Sequence, residues 1–145
     1  MAIKQRGYPQ IVFGLIQSSV NLSNSKIIIY RGTPLTGDQY VDRATHSADE
    51  IMQLTWNTDY QFAVNFNQLV PDMSLLETSP NLTKNASITG TATWFAIVTP
   101  NDQAVMCGTV SGQNGSGDLW VSDVNAVAGQ PITVTDFEFS VNYTA

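Results

Sequence analysis

Charge is scarce in this sequence: 12% of its 145 residues are Asp, Glu, Lys or Arg, against about 25% in ordinary soluble domains. Basic residues are the scarcer kind, six against twelve acidic ones, and none follows Lys84. With a net charge of −6 there is no source for the basic surface that nucleic acid requires, so that class of partner is excluded. The single cysteine, Cys107, permits no disulfide within the chain, which fits synthesis in a reducing compartment. No apolar run approaches the ~18 residues of a membrane-spanning helix. The stretch after Lys4 and Arg6 is broken by Tyr8-Pro9-Gln10 and holds only Ile11 to Ile16. It is too short and poorly flanked for a secretory signal, and use without export is expected.

Ser, Thr and Asn stand where charge would be, and with many Val and Ile they point to strands and turns. A chain this long can bury roughly two-thirds of its unfolded surface, enough for a core without metal or disulfide staples. Lys26 to Arg31, closed by Gly32-Thr33-Pro34, has β-branched residues at both parities and reads as a buried strand. Ser47 to Glu50 has capping-box spacing, but Met52, Leu54 and Trp56 alternate with Gln53 and Thr55, so a strand is expected there. Tyr60, Phe62, Val64 and Phe66 alternate with polar or small residues, predicting an aromatic face turned inward.

From Pro71 to Lys84 the pattern fades around Leu75-Leu76, predicting a long surface loop with a small apolar plug. Thr91 to Val98 and Ala104 to Val110 predict a hairpin about Pro100-Asn101-Asp102, with Ala92, Trp94, Ala96 and Val98 on one face. Gly112 to Gly117 reads as a flexible connection into Leu119 to Val124. In the last strand Ile132 and Val134 are even while Phe137, Phe139 and Val141 are odd, so a β-bulge is predicted at Thr135-Asp136. The expected fold is all-β: an antiparallel β-sandwich, jelly-roll or Ig-like, with an extended N-terminal arm. Residues 1–25 form the arm or a first strand, and residues 26–145 the single sandwich domain.

The chain offers little chemistry. His46 lies among Asp42, Asp49 and Glu50 with no second imidazole or thiolate nearby, so it reads as a solvated turn residue and not a zinc ligand. Cys107 sits mid-strand among apolar neighbours, where burial quenches a thiol. Asp118 and Asp123 fall on opposite faces. Asp136 and Glu138 share a face roughly 6 to 7 Å apart, but they alternate with Phe137 and Phe139 as an ordinary half-buried strand does. The glycine loop precedes a strand and lacks a lysine, so it is no phosphate cradle. No catalytic, metal or cofactor site is expected. Trp56, Trp94 and Trp120 could line a sugar-binding surface, but strand positions favour core packing.

Five ordered stretches, 26–34, 90–95, 106–110, Asp118-Leu119 and 129–137, resemble a family of small β-rich virion proteins of tailed bacteriophages. The resemblance covers about three-quarters of the chain in order. It implies a non-enzymatic virion structural protein, assembled in the host cytoplasm. The leading expectation is a capsid decoration or cement protein bound to the major capsid protein and forming homo-oligomers within the particle, with no nucleic-acid or membrane partner. A neck, collar or tail accessory protein is the nearest alternative, and a carbohydrate-binding module a more distant one. The expected interface residues are Lys4, Arg6, Tyr8, Ile11, Val12 and Phe13 of the arm, with Leu75 and Leu76.

Overall fold

Ile27-Ile28-Ile29-Tyr30 is buried at every position, because the sheet carrying it is covered on both faces. A computed structural model describes residues 2–3, 10–11, 25–34, 43–65, 72–75, 81–98, 100 and 104–142. In chain order the strands are β1 (Ala2–Ile3), β2 (Gln10–Ile11), β3 (Lys26–Arg31), β4 (Glu50–Thr55), β5 (Phe62–Asn65) and β6 (Asp72–Leu75). They continue as β7 (Thr83–Asn85), β8 (Gly90–Val98), β9 (Ala104–Gly112), β10 (Leu119–Val121), β11 (Asn125–Ala126) and β12 (Pro131–Asn142). Among the described residues there is no α-helix. A 3₁₀ segment at Arg43–Asp49 leads into β4, so the capping-box spacing marks a real turn ahead of a real strand.

The hydrogen-bonded path runs β4-β3-β8-β9-β10-β12-β6-β5, with β1 and β7 on β12, β2 on β9 and β11 on β8. Among the described residues every pairing between these strands is antiparallel except β9 with β10. The sheet is nearly closed: β7 pairs with β12, and just beyond β7 the Ser87 N–H donates to Ile51 O of β4 at 2.7 Å. Closure places one core inside, built from Ile27, Ile29, Leu54, Phe95, Ile97, Leu119, Val121, Ile132, Val134 and Phe137 among others. Phe95 and Phe137 meet edge to face across it, ring centroids 5.6 Å apart, a favoured aromatic geometry. The outer face of β3, β8 and β9 carries a second buried layer of Ile28, Tyr30, Trp94, Ala96, Val98 and Cys107.

Bulges set which residues reach which layer. Thr135 is skipped where Trp120 pairs with Asp136 and Val121 with Val134, so Ile132, Val134 and Phe137 all face the core despite their change of parity. This is the predicted irregularity of the last strand. A second bulge places Ala92 opposite Arg31 and Trp94 opposite Tyr30. Ala92 therefore joins the interior and Trp94 the outer layer, correcting the expectation that they share a face. A third skips Ile51 between the Met52–Ile29 and Glu50–Tyr30 pairs, which buries Ile51 beside Met52.

Two expected connections have more structure than their composition suggests. The Pro71–Lys84 stretch is not one long loop, because β6 and the first two residues of β7 lie within it. β7 is polar throughout and β6 alternates Asp72 and Ser74 with Met73 and Leu75 over only four residues; neighbouring strands supply the pairing partners, and a main-chain ladder does not need a long hydrophobic run. Residues 113–118 return the chain beside β9, so that β10 runs parallel to it with Leu119 opposite Val110. Ser111 Oγ accepts from Gly117 N and donates to Gly112 O, both at 3.0 Å. A Cβ on Gly117 would stand 2.5 Å from Ser111 N, a backbone approach only glycine allows. β10 is also shorter than expected, ending at Val121.

Candidate functional site

The expected docking residues divide between the described structure and the remainder of the chain. Leu75 ends β6 and pairs with Phe62 of β5, placing it on the hairpin that terminates the hydrogen-bonded path. Ile11 in β2 pairs with Met106 of β9, and Gln10 with Cys107. The structure does not bring Ile11 and Leu75 onto the same strand pair. Lys4, Arg6, Tyr8, Val12, Phe13 and Leu76 lie outside the described residues. Among the described residues β5 has one strand neighbour, β6. From Tyr60 to Val70 the sequence contains no charge, proline or glycine, and it thus lacks the usual devices that discourage pairing with another chain.

Buried polar groups form two clusters. Asp118, 1% exposed, accepts through Oδ2 from Thr109 N at 3.0 Å and Thr109 Oγ1 at 3.2 Å. It ties the returning loop to β9. Gly108 leaves room for that carboxylate: a Cβ there would lie 2.8 Å from Asp118 Oδ2 and 2.6 Å from Phe95 Cε1. Asp123 is exposed and accepts from Asn125 N at 2.9 Å, so the two carboxylates have separate structural duties. Asp136 is half-buried.

The second cluster was not singled out from the sequence. Asp59, 2% exposed, accepts from Thr55 N at 2.7 Å through Oδ2 and pairs through Oδ1 with Lys84 Nζ at 2.8 Å. Tyr60 shares a 2.6 Å hydrogen bond with Ser25 and meets Trp56 edge to face at 5.6 Å. Burial raises the Tyr60 phenol above its ordinary range; the Ser25 bond acts the other way, and the nearby Asp59 charge adds to the rise. The cluster joins the β4–β5 corner to β7, and its chemistry is that of a staple: a charge-assisted contact across elements distant in sequence. Asn57 at φ 64° is its local signature, a turn residue that tolerates the left-handed region.

His46 is not a solvated turn residue. It is half-buried, with its ring edge-on to Trp94 at 5.2 Å and to Tyr30 at 6.2 Å. Trp94 and Tyr30 stack 4.0 Å apart, and Trp94 Nε1 donates to Arg31 O at 3.2 Å. The 3₁₀ segment that delivers His46 is held by Arg31–Asp49 at 3.1 Å and Arg43–Glu50 at 3.2 Å. Trp94 is 2% exposed and cannot stack on a sugar; Trp56 and Trp120 are half-buried. Burial pushes the Cys107 thiol up to about 12, the reverse of what a nucleophile needs. Among the described residues no three His, Cys, Asp or Glu side chains gather as a metal site would require.

The fold and its clusters define an all-β protein with a mostly antiparallel, nearly closed sheet and an uncharged terminal strand. No family model, curated protein or solved structure matches this chain.

Proposed function

We propose that this chain is a non-enzymatic structural component of a tailed-bacteriophage virion, a decoration protein that binds the head shell and holds neighbouring subunits together. In that reading the nearly closed sheet serves as the sandwich-type body and the N-terminal segment as its arm. The observation that carries the proposal is the terminal hairpin, where β5 ends the sheet path without charge and Leu75 lies opposite Phe62. A strand of this kind pairs with the sheet edge of a neighbouring shell subunit through main-chain hydrogen bonds. Each contact is modest, but repetition over a lattice makes the sum strong. Binding only to the assembled shell then stabilises it by mass action.

Imaging of particles with and without the protein tests this reading. It expects a copy number on the scale of the shell subunits, disruption of protein-free particles at lower temperature, and recovery when purified protein is added back. A charge placed in β5 by Asn65→Lys, on the polar side of the alternation, should lower occupancy while the isolated protein remains folded. Equal heat resistance of complete and protein-free particles would overturn the cementing role. A few copies at the tail axis would reassign the protein to the neck or tail.

A further inference from the structure

Asn114-Gly115 is the sequence's one Asn-Gly pair, and it lies at the exposed tip of the 113–118 return. Asn114 has φ 66°. Gly115 carries no Cβ to hinder approach to its backbone nitrogen. A side-chain amide and the next peptide nitrogen held on one chain react as a proximate pair, without the cost of bringing two molecules together.

We propose that Asn114 is a self-modification site, converted by attack of its own backbone into isoaspartate and aspartate. The Gly115 nitrogen loses its proton to solvent base and bonds to Asn114 Cγ. The Cγ–Nδ2 bond breaks, and ammonia leaves with a proton from water. The resulting five-membered imide takes up one water. Opening at the Cγ–N bond gives aspartate; opening at the main-chain carbonyl gives isoaspartate, in which the backbone runs through Cγ. No oxidant or enzyme is required.

The fold sets both the pace and the consequence. Gly115 N–H donates to Gly112 O at 3.0 Å, so the turn must open before the proton leaves, and the folded protein reacts more slowly than its unfolded chain. Gly115 O accepts from Trp120 Nε1 at 3.2 Å. An isoaspartate inserts a methylene into the main chain immediately before Gly115, draws that carbonyl away from Trp120 and strains the 3.0 Å bond from Gly117 N to Ser111 Oγ. The modification thus adds a negative charge and loosens the connection that makes β10 parallel to β9.

Asn57 is a built-in comparison. It is also exposed and has φ 64°, but Thr58 follows it, and its Oδ1 accepts from Gln61 Nε2 at 2.9 Å. The test is incubation of the full chain, folded and denatured in parallel, in mildly alkaline buffer. Peptide mapping and isoaspartyl methyltransferase labelling read the products, and tryptophan fluorescence is followed over the same period. The expected result is loss of the amide at Asn114 with isoaspartate as the larger product, an intact Asn57, and a fluorescence drift that Asn114→Gly abolishes. Asn114→Gly keeps the left-handed turn while removing the reacting amide. An unchanged Asn114 in the folded chain, or conversion of Asn57 first, would overturn the site. Conversion without a fluorescence change would overturn its link to Trp120.

Discussion

Cys107 shows how one side chain reports its layer. Buried on the outer face with Ile28 and Trp94, its thiol is raised from 9.0 to about 12 by burial. The unfolded chain therefore releases this proton near pH 9 while the folded chain keeps it. Stability from this group is fully present below that pH and is lost as pH rises toward about 12, at up to about 1.4 kcal/mol per pH unit. Urea unfolding across this range should show that slope reduced in Cys107→Ala, and a disulfide reagent should modify the native thiol only after unfolding. Tyr60, also raised by burial, adds to the alkaline loss in both proteins. The quenched thiol was legible from its apolar neighbours in sequence. The Asp59–Lys84 pair was not, because the two residues are brought together by pairing among β4, β7 and β12, which sequence spacing does not reveal.

Among the elements, β12 carries the most information. It pairs with β1, β6, β7 and β10, and its bulge at Thr135 keeps Val134 and Phe137 in one core. Deleting Thr135 would remove the bulge and leave Val134, Asp136 and Phe137 in unbroken alternation, so Phe137 keeps its place on the core face. The expected cost is below about 3 kcal/mol, the loss of local bulge geometry and not of a buried aromatic. Thr135→Ala, at an exposed position, should change stability by no more than about 0.5 kcal/mol. Denaturant unfolding of the two variants separates the role of the extra residue from that of its side chain. Parity switches betray a bulge when apolar residues flank it, which is why this one could be read from sequence. The bulge at Ala92 escaped because alanine, threonine and tryptophan fit either face there, and only the pairing with β3 decides between them.

For the whole molecule, near-closure is the governing property. The bond from Ser87 N to Ile51 O joins the segment after β7 to β4, and β4 shares the interior core with β10 and β12 from farther along the path. Unfolding is therefore expected as a single transition, with circular dichroism and tryptophan fluorescence coinciding. Ser87→Pro removes the donor at the seam. It should lower stability by about 1 kcal/mol or more while leaving one transition; two separated transitions would show that parts of the sheet fold independently.

Composition and alternation by themselves determined that this chain is all-β, that Lys26 to Arg31 is buried on both sides and that the last strand is bulged. Those properties follow from side-chain period and from the mutual exclusion of water and apolar groups, which act locally. Tertiary structure decided the parallel run of β10 beside β9, the strands within the polar 71–84 stretch, the seating of His46 on Trp94 and the nearly closed sheet. Each depends on main-chain hydrogen bonds or ring contacts between residues far apart in sequence, and the side-chain pattern of either partner alone does not encode them.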